Sequence, residues 1–105
     1  MNLLFDGCVP RPLRNFLTGH TIQTARENHW AELRNGDLLR TAEGRFDAFL
    51  TADQNLRYQH KLAGRRSAIP VLPSNLWPVL RLMTERIAAA VNRLRPGDYI
   101  EIAAN

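Results

Sequence analysis

The sequence predicts an α/β fold, three layers deep, with a mostly parallel central sheet and helices on both of its faces. Two observations predict it. Strand-like apolar runs alternate with helix-like apolar periodicity almost from end to end of the chain. A βαβα order of this kind favours parallel strands joined by crossover helices.

The elements follow in order. Asn2-Leu3-Leu4-Phe5 is a short apolar run that ends at Asp6, and Gly7-Cys8-Val9-Pro10 breaks it. Pro10 and Pro12 open a helix with Leu13, Phe16 and Leu17 on one face, and Gly19 ends it. Residues 20–25 read as a second strand, carried by Thr21, Ile22 and Thr24. Residues 26–34 show no clear period, with Trp30 and Leu33 as the only large apolar anchors. Asn35-Gly36-Asp37 begins a helix with Leu38, Leu39 and Ala42 on its apolar face.

A third strand is expected over Phe46 to Thr51, with Asp53 just beyond its end. Residues 54–63 read as helix, and Gly64 stops it. Ala68 to Leu72 forms a fourth strand whose Pro70 points to an edge or a bulge. The longest helix is expected over Leu76 to Leu94, striped by Leu76, Leu80, Met83, Ile87, Val91 and Leu94. Pro96-Gly97 then turns the chain into a last strand over Asp98 to Ala103.

Size and composition bound the rest. At 105 residues the chain is read as one domain, residues 1–105, with one core. Apolar residues at 45% and charged residues at 23% exclude the disordered class. No apolar run is long enough for a bilayer and no secretory leader pattern is visible, so a bacterial cytoplasm is the expected location, without a membrane partner. Cys8 is the single cysteine, which excludes an internal disulfide and a cysteine-based zinc site. The net charge of +4 favours polyanionic partners, and Lys61 is the only lysine among the cations. Arginine's planar fork suits phosphate, although arginine-biased codon usage explains the same composition.

Strand direction sorts the carboxylates. In a parallel sheet, ligands bind outside the carboxyl ends of the strands. Asp6 closes the first strand and Asp53 follows the third, so both belong to that rim, and Asp37 can reach it from the start of its helix. Asp47 and Asp98 precede their strands and are assigned to structure. Three converging carboxylates would be stabilised by magnesium or manganese, whose coordination to water and phosphate suits phosphodiester hydrolysis. Two alternatives stay open: Asp53 as a helix N-cap, and Asp37 as a complement to the helix dipole.

Arg57, Lys61, Arg65 and Arg66 recur from the helix after Asp53 into the next loop, and Arg14 lies one turn into the first helix. All five are candidate grips for RNA phosphates, with a solvated helix face as the alternative. Tyr58 can stack on a base or pack half-buried. Cys8 would act as a nucleophile only with a base nearby, and His20 is expected at the opposite edge of the sheet. His29 and His60 show no ligand spacing, and Trp30 and Trp77 read as core or interface anchors.

Several segments, in this order, resemble the PIN-like domains, in particular a short bacterial branch associated with toxin–antitoxin pairs. They are Leu3-Leu4-Phe5-Asp6, Val9-Pro10-x-Pro12-Leu13, Gly19-His20-Thr21-Ile22, Asn35-Gly36-Asp37-Leu38-Leu39 and the run from Phe46 to Leu56. The resemblance implies a Rossmann-like sheet and an acidic pocket that binds magnesium or manganese and cleaves RNA, with Asp6, Asp37 and Asp53 as catalytic and metal residues. The implied partners are RNA and a cognate antitoxin protein, with homodimerisation open. Two positions depart from the family pattern. Gly7-Cys8 stands where many relatives have Glu-Asn, and Asn55, a ligand through its carbonyl oxygen only, stands where many have a second acid. A non-catalytic binding module of the same fold is therefore the alternative. A receiver-type domain is disfavoured, because no lysine follows the fourth strand.

Overall fold

The computed structural model describes residues 1–56 and 64–104. Five short strands run parallel: β1 (Asn2–Phe5), β2 (Thr21–Thr24), β3 (Ala48–Leu50), β4 (Ile69–Val71) and β5 (Tyr99–Glu101). A 3-10 helix covers Arg11–Phe16, and the α-helices are α1 (Asn35–Ala42), α2 (Trp77–Leu80) and α3 (Thr84–Asn92). The chain is thus α/β with a parallel sheet. Its radius of gyration of 12.4 Å matches the roughly 13 Å expected for a compact domain of this length.

Hydrogen bonding divides the strands into a β2-β1-β3 group and a β4-β5 pair. Isolated bridges between Ala48 and Ala68 and between Thr51 and Val71 join the two, so the spatial order is 2-1-3-4-5. Pro70 explains the division. The ladder from β3 to β4 runs through Ala68 N to Asp47 O (2.9 Å), Phe49 N to Ala68 O (2.8 Å), Thr51 N to Pro70 O (3.3 Å) and Leu72 N to Thr51 O (2.7 Å). The bond missing from that series is the one Pro70 would donate to Phe49 O, and proline has no N–H. The expectation of an edge strand or bulge at Pro70 is therefore corrected. β4 lies between β3 and β5, with one ladder bond absent.

Burial follows strand position. β1, β3 and β4 are internal, and Leu3, Leu4, Phe5, Ala48, Phe49, Leu50, Ile69 and Val71 are all buried, as strands covered on both faces require. β2 lies at one edge and buries only Ile22. On one face Leu3, Phe5 and Leu50 pack with Leu13 and Leu17, and with Leu80, Met83, Ile87 and Val91 of the α2–α3 region. On the other face Leu4, Phe49, Ile69 and Val71 pack with Leu38, Leu39 and Ala42 of α1 and with Leu56.

Two helical expectations change. The first helix is 3-10 rather than α, and Phe16 is 47% exposed beside Trp77 instead of inside the core. The long helix over Leu76 to Leu94 is two helices. Met83 leaves helical geometry at φ −133°, and the chain restarts at Thr84. The buried stripe of Leu80, Met83, Ile87 and Val91 persists across the break, but Leu76 is 58% exposed. Leu76 is the extended residue before α2, at φ −96° and ψ 122°, outside the helical stripe. Gly19, expected as a helix stop, sits at φ 85° between the 3-10 helix and β2. The expected helix over residues 54–63 lies mostly outside the described residues.

Candidate functional site

In a 2-1-3-4-5 parallel sheet the chain leaves β1 and β3 in opposite directions, and a crevice opens at their carboxyl ends. Asp6 and the Thr51-Ala52-Asp53 segment occupy that place. β1 carries Asp6 there because Asp6 N donates to Leu50 O of β3 at 2.9 Å, extending the ladder by one residue. The Asp6 side chain is held from three sides. Gly7 N donates to Oδ1 at 2.7 Å, and Thr51 Oγ1 donates to Oδ2 at 2.8 Å. The Cys8 thiol lies 3.5 Å from Oδ2.

Thr51 is fully buried and ties the two acids together. While it donates to Asp6, its hydroxyl oxygen accepts the Asp53 N–H at 3.1 Å. Asp53 is half-buried, and its Oδ1 accepts from Asn55 N at 3.0 Å. The capping alternative for Asp53 thus has a bond behind it. Asn55 is exposed and contributes its backbone N–H to this turn.

Asp37 does not join the pair. It stands in the first turn of α1, paired with Arg40 and largely in solvent. Among the described residues no group of three or more His, Cys, Asp or Glu side chains gathers closely enough to hold a metal ion. The expected three-carboxylate cluster is therefore not formed: the Asp6 carboxylate is joined through Thr51 to the backbone of Asp53, and Asp37 is paired within its own helix. Asp47 and Asp98 play the structural parts assigned to them. Asp47 Oδ2 accepts Asn2 N at 2.7 Å, and Asp98 Oδ2 accepts Arg95 N at 2.9 Å.

The expected basic residues distribute differently. Arg14 forms a forked pair with Glu27 (2.6 and 3.2 Å) and donates to Ile22 O at 2.5 Å, so its guanidinium is engaged within the protein. That bond, then the Thr24 N–H at 2.8 Å, hold the Glu27 carboxyl down at about 2. Thr24 accepts in return from Glu27 N at 3.1 Å, a reciprocal Thr-x-x-Glu closure of the turn after β2. Arg65 pairs with Glu43 at 3.7 Å, and Arg65 and Arg66 lead into β4. They stand at the amino edge of the sheet, away from the rim where they were expected. Arg57 and Lys61, with Tyr58 and His60, lie outside the described residues.

Two arginines that the sequence reading passed over do stand beside Asp6. A cavity of about 190 Å³ is lined by Asp6, Arg11, Thr24, Arg26 and Glu27. The signal was available: Arg26 follows the carboxyl end of β2, as Asp6 follows that of β1, so both belong to one rim. Cys8 shares the site, but burial and then the Asp6 charge push its thiol up from the ordinary value. A thiol so raised is protonated at neutral pH and is a poor nucleophile. His20 is bonded to Asn92 at 2.7 Å and gives Cys8 no base.

Comparison with protein-family models, with curated proteins and with solved structures returns no match. Among the described residues no helix is long and apolar enough to cross a membrane.

Proposed function

We propose that the chain is a metal-dependent ribonuclease with a three-layer PIN-like fold, acting as the toxin of a type II toxin–antitoxin pair in the bacterial cytoplasm. The observation that carries the reading is that the Thr51 hydroxyl joins the Asp6 carboxylate to the Asp53 backbone at the β1/β3 crevice. The proposed donor set fits magnesium or manganese. These ions take one or two carboxylates and keep several waters, and an ionised carboxylate accepts at about four lone-pair sites. Asp6 and Asp53 would hold the ion, which when bound supplies Lewis-acid stabilisation to the phosphodiester. Asp37, paired with Arg40, is left out of the proposed ligand set. Arg11 and Arg26 bind the strand's phosphates beside Asp6, the part first expected of Arg14, Arg57, Lys61, Arg65 and Arg66.

The test is cleavage of labelled single-stranded RNA by the purified chain with magnesium or manganese. Asp6→Asn is expected to lower turnover by about 100-fold or more, and Arg11→Ala to raise KM with a smaller effect on kcat. Unchanged metal-dependent cleavage in Asp6→Asn overturns the mechanism. A small antitoxin-like gene beside this one supports the toxin reading.

A second reading is a PIN-like module that binds RNA or a partner protein without cleaving. It is favoured by Asn55 and Gly7 at positions where the resemblance expects acids, and by the three hydrogen bonds already made to the Asp6 carboxylate. RNA binding without turnover in either metal would select it.

A further inference from the structure

A cavity of about 600 Å³ lies not at the acidic rim but at the opposite edge, where the chain enters β3, β4 and β5. We infer that it is a second binding site, for an organic phosphate of nucleotide type. Each of the three entering loops supplies one arginine to its wall: Arg45 before β3, Arg66 before β4 and Arg95 before β5. Neighbouring strands stand about 4.8 Å apart, so the three arginine-bearing loops adjoin one another along that wall.

The wall also holds two carboxylates, each bonded within the loops, and one of them, Glu43, is offset by Arg65 outside the wall, so the three arginines leave it net positive. Glu43 accepts Arg66 N at 3.0 Å, Ser67 N at 3.2 Å and the Ser67 hydroxyl at 3.3 Å, and pairs with Arg65. Asp47 accepts Asn2 N. Among the described residues no carboxylate lies at salt-bridge distance from Arg45, Arg66 or Arg95. Arg45 lies over the Trp30 ring, 5.6 Å from its centroid, a contact that restricts its side chain.

The ligand class follows from the rest of the wall. Phe46, Ala68 and Leu94 supply an apolar surface beside the arginines, which a bare inorganic anion would leave uncovered. The volume falls within the roughly 300–1,000 Å³ of small-molecule sites. A planar base or sugar carrying phosphate matches both parts. The wall is also pre-formed. Gly97 N donates to Arg66 O at 2.7 Å and ties the β5 loop to the β4 loop. Gly97 holds φ 82°, and a Cβ there would meet the Arg65 carbonyl at 3.0 Å, so glycine permits this approach.

The probes are a fluorescent nucleoside triphosphate and a fluorescein-labelled short single-stranded RNA, each titrated at low ionic strength with EDTA present, so that no ion bridges ligand to the acid pair. Saturable binding of at least one probe is expected. Arg66→Gln/Arg95→Gln should weaken it about tenfold or more, Arg66→Lys/Arg95→Lys should recover part of it, and Asp6→Asn should leave it within about twofold. Binding of the nucleotide alone assigns the site to free nucleotides, and tighter binding of the strand, weakened by the same glutamine pair and not by Arg11→Ala, assigns it to RNA. Both side chains are exposed and, among the described residues, make no hydrogen bond, so thermal unfolding of the glutamine variant should match the wild type. The inference is overturned if neither probe binds, if the glutamine variant binds as tightly as wild type, or if Asp6→Asn removes the binding. None of these outcomes depends on whether the acid pair cleaves RNA.

Discussion

Thr51 gives its hydroxyl hydrogen to Asp6 at 2.8 Å from a fully buried position on the neighbouring strand. The same oxygen accepts the Asp53 N–H. Replacing Thr51 by Val keeps the shape and removes both bonds, leaving a carboxylate and an amide short of partners. The expected loss of stability is about 1–3 kcal/mol by urea denaturation. In a double-mutant cycle, Thr51→Val and Asp6→Asn should be non-additive by at least about 0.5 kcal/mol. Additive effects would mean that the hydroxyl does not act on Asp6.

Cys8 offers an independent probe of the same carboxylate. Burial raises its thiol first and the Asp6 charge second, so the thiolate that reacts with a disulfide reagent is scarce at neutral pH. Asp6→Asn removes the second cause. Labelling of Cys8 at a fixed pH slightly above neutral should then be faster than in the wild type, with the inflection of the pH–rate curve moved down. A slower or unmoved curve would separate Cys8 from Asp6 in solution.

The site was legible in the sequence only where strand direction decides it. β1 and β3 announce themselves as unbroken apolar runs because both faces are covered, and the residue after each must lie at the carboxyl rim. That reasoning put Asp6 and Asp53 at the same rim, where Thr51 joins the Asp6 carboxylate to the Asp53 backbone, and set aside Asp47 and Asp98, which close loops at the other edge. It fails for side chains on loops. Arg14 was expected to face RNA but turns to Glu27, thirteen residues on in a different element, and periodicity carries no record of that pairing. Arg11 and Arg26 replace it beside Asp6 for the same reason. Asp37 has the right topology, yet its carboxylate meets Arg40 in its own helix.

The Arg14–Glu27 pair predicts a pH dependence. The Glu27 carboxyl is lowered from 4.5 to about 2, first by Arg14 and then by the Thr24 N–H. A group depressed in the folded state stabilises it above the unfolded value, and that contribution fades as pH falls from about 4.5 towards 2. The group is exposed, so the effect on global stability is small. The direct measurement is the carboxyl carbon shift of Glu27 by NMR. Its midpoint should lie well below 4.5 in the wild type and rise towards that value in Arg14→Ala. A midpoint unchanged by that substitution would show that the fork does not hold Glu27.

Pro70 tests whether β3 and β4 belong to one continuous sheet. The carbonyl of Pro70 already accepts from Thr51, and the bonds on either side point the missing N–H at Phe49 O. Pro70→Ala supplies that donor. The new bond is worth about 0.5–1.5 kcal/mol. Against it stand the lost rigidity of the unfolded chain, about 0.4–1 kcal/mol, and a small loss of buried ring surface. Global stability should therefore stay within about 1 kcal/mol of the wild type. Local protection is the sensitive reading. The amide of the new alanine should exchange as slowly as those of Phe49 and Leu72, which already bond across the same junction. An alanine amide that exchanges at the rate of an exposed loop would show that β3 and β4 do not form a ladder there. The 2-1-3-4-5 order, which places Asp6 and Asp53 at a crevice inside a single sheet, would then lose its support.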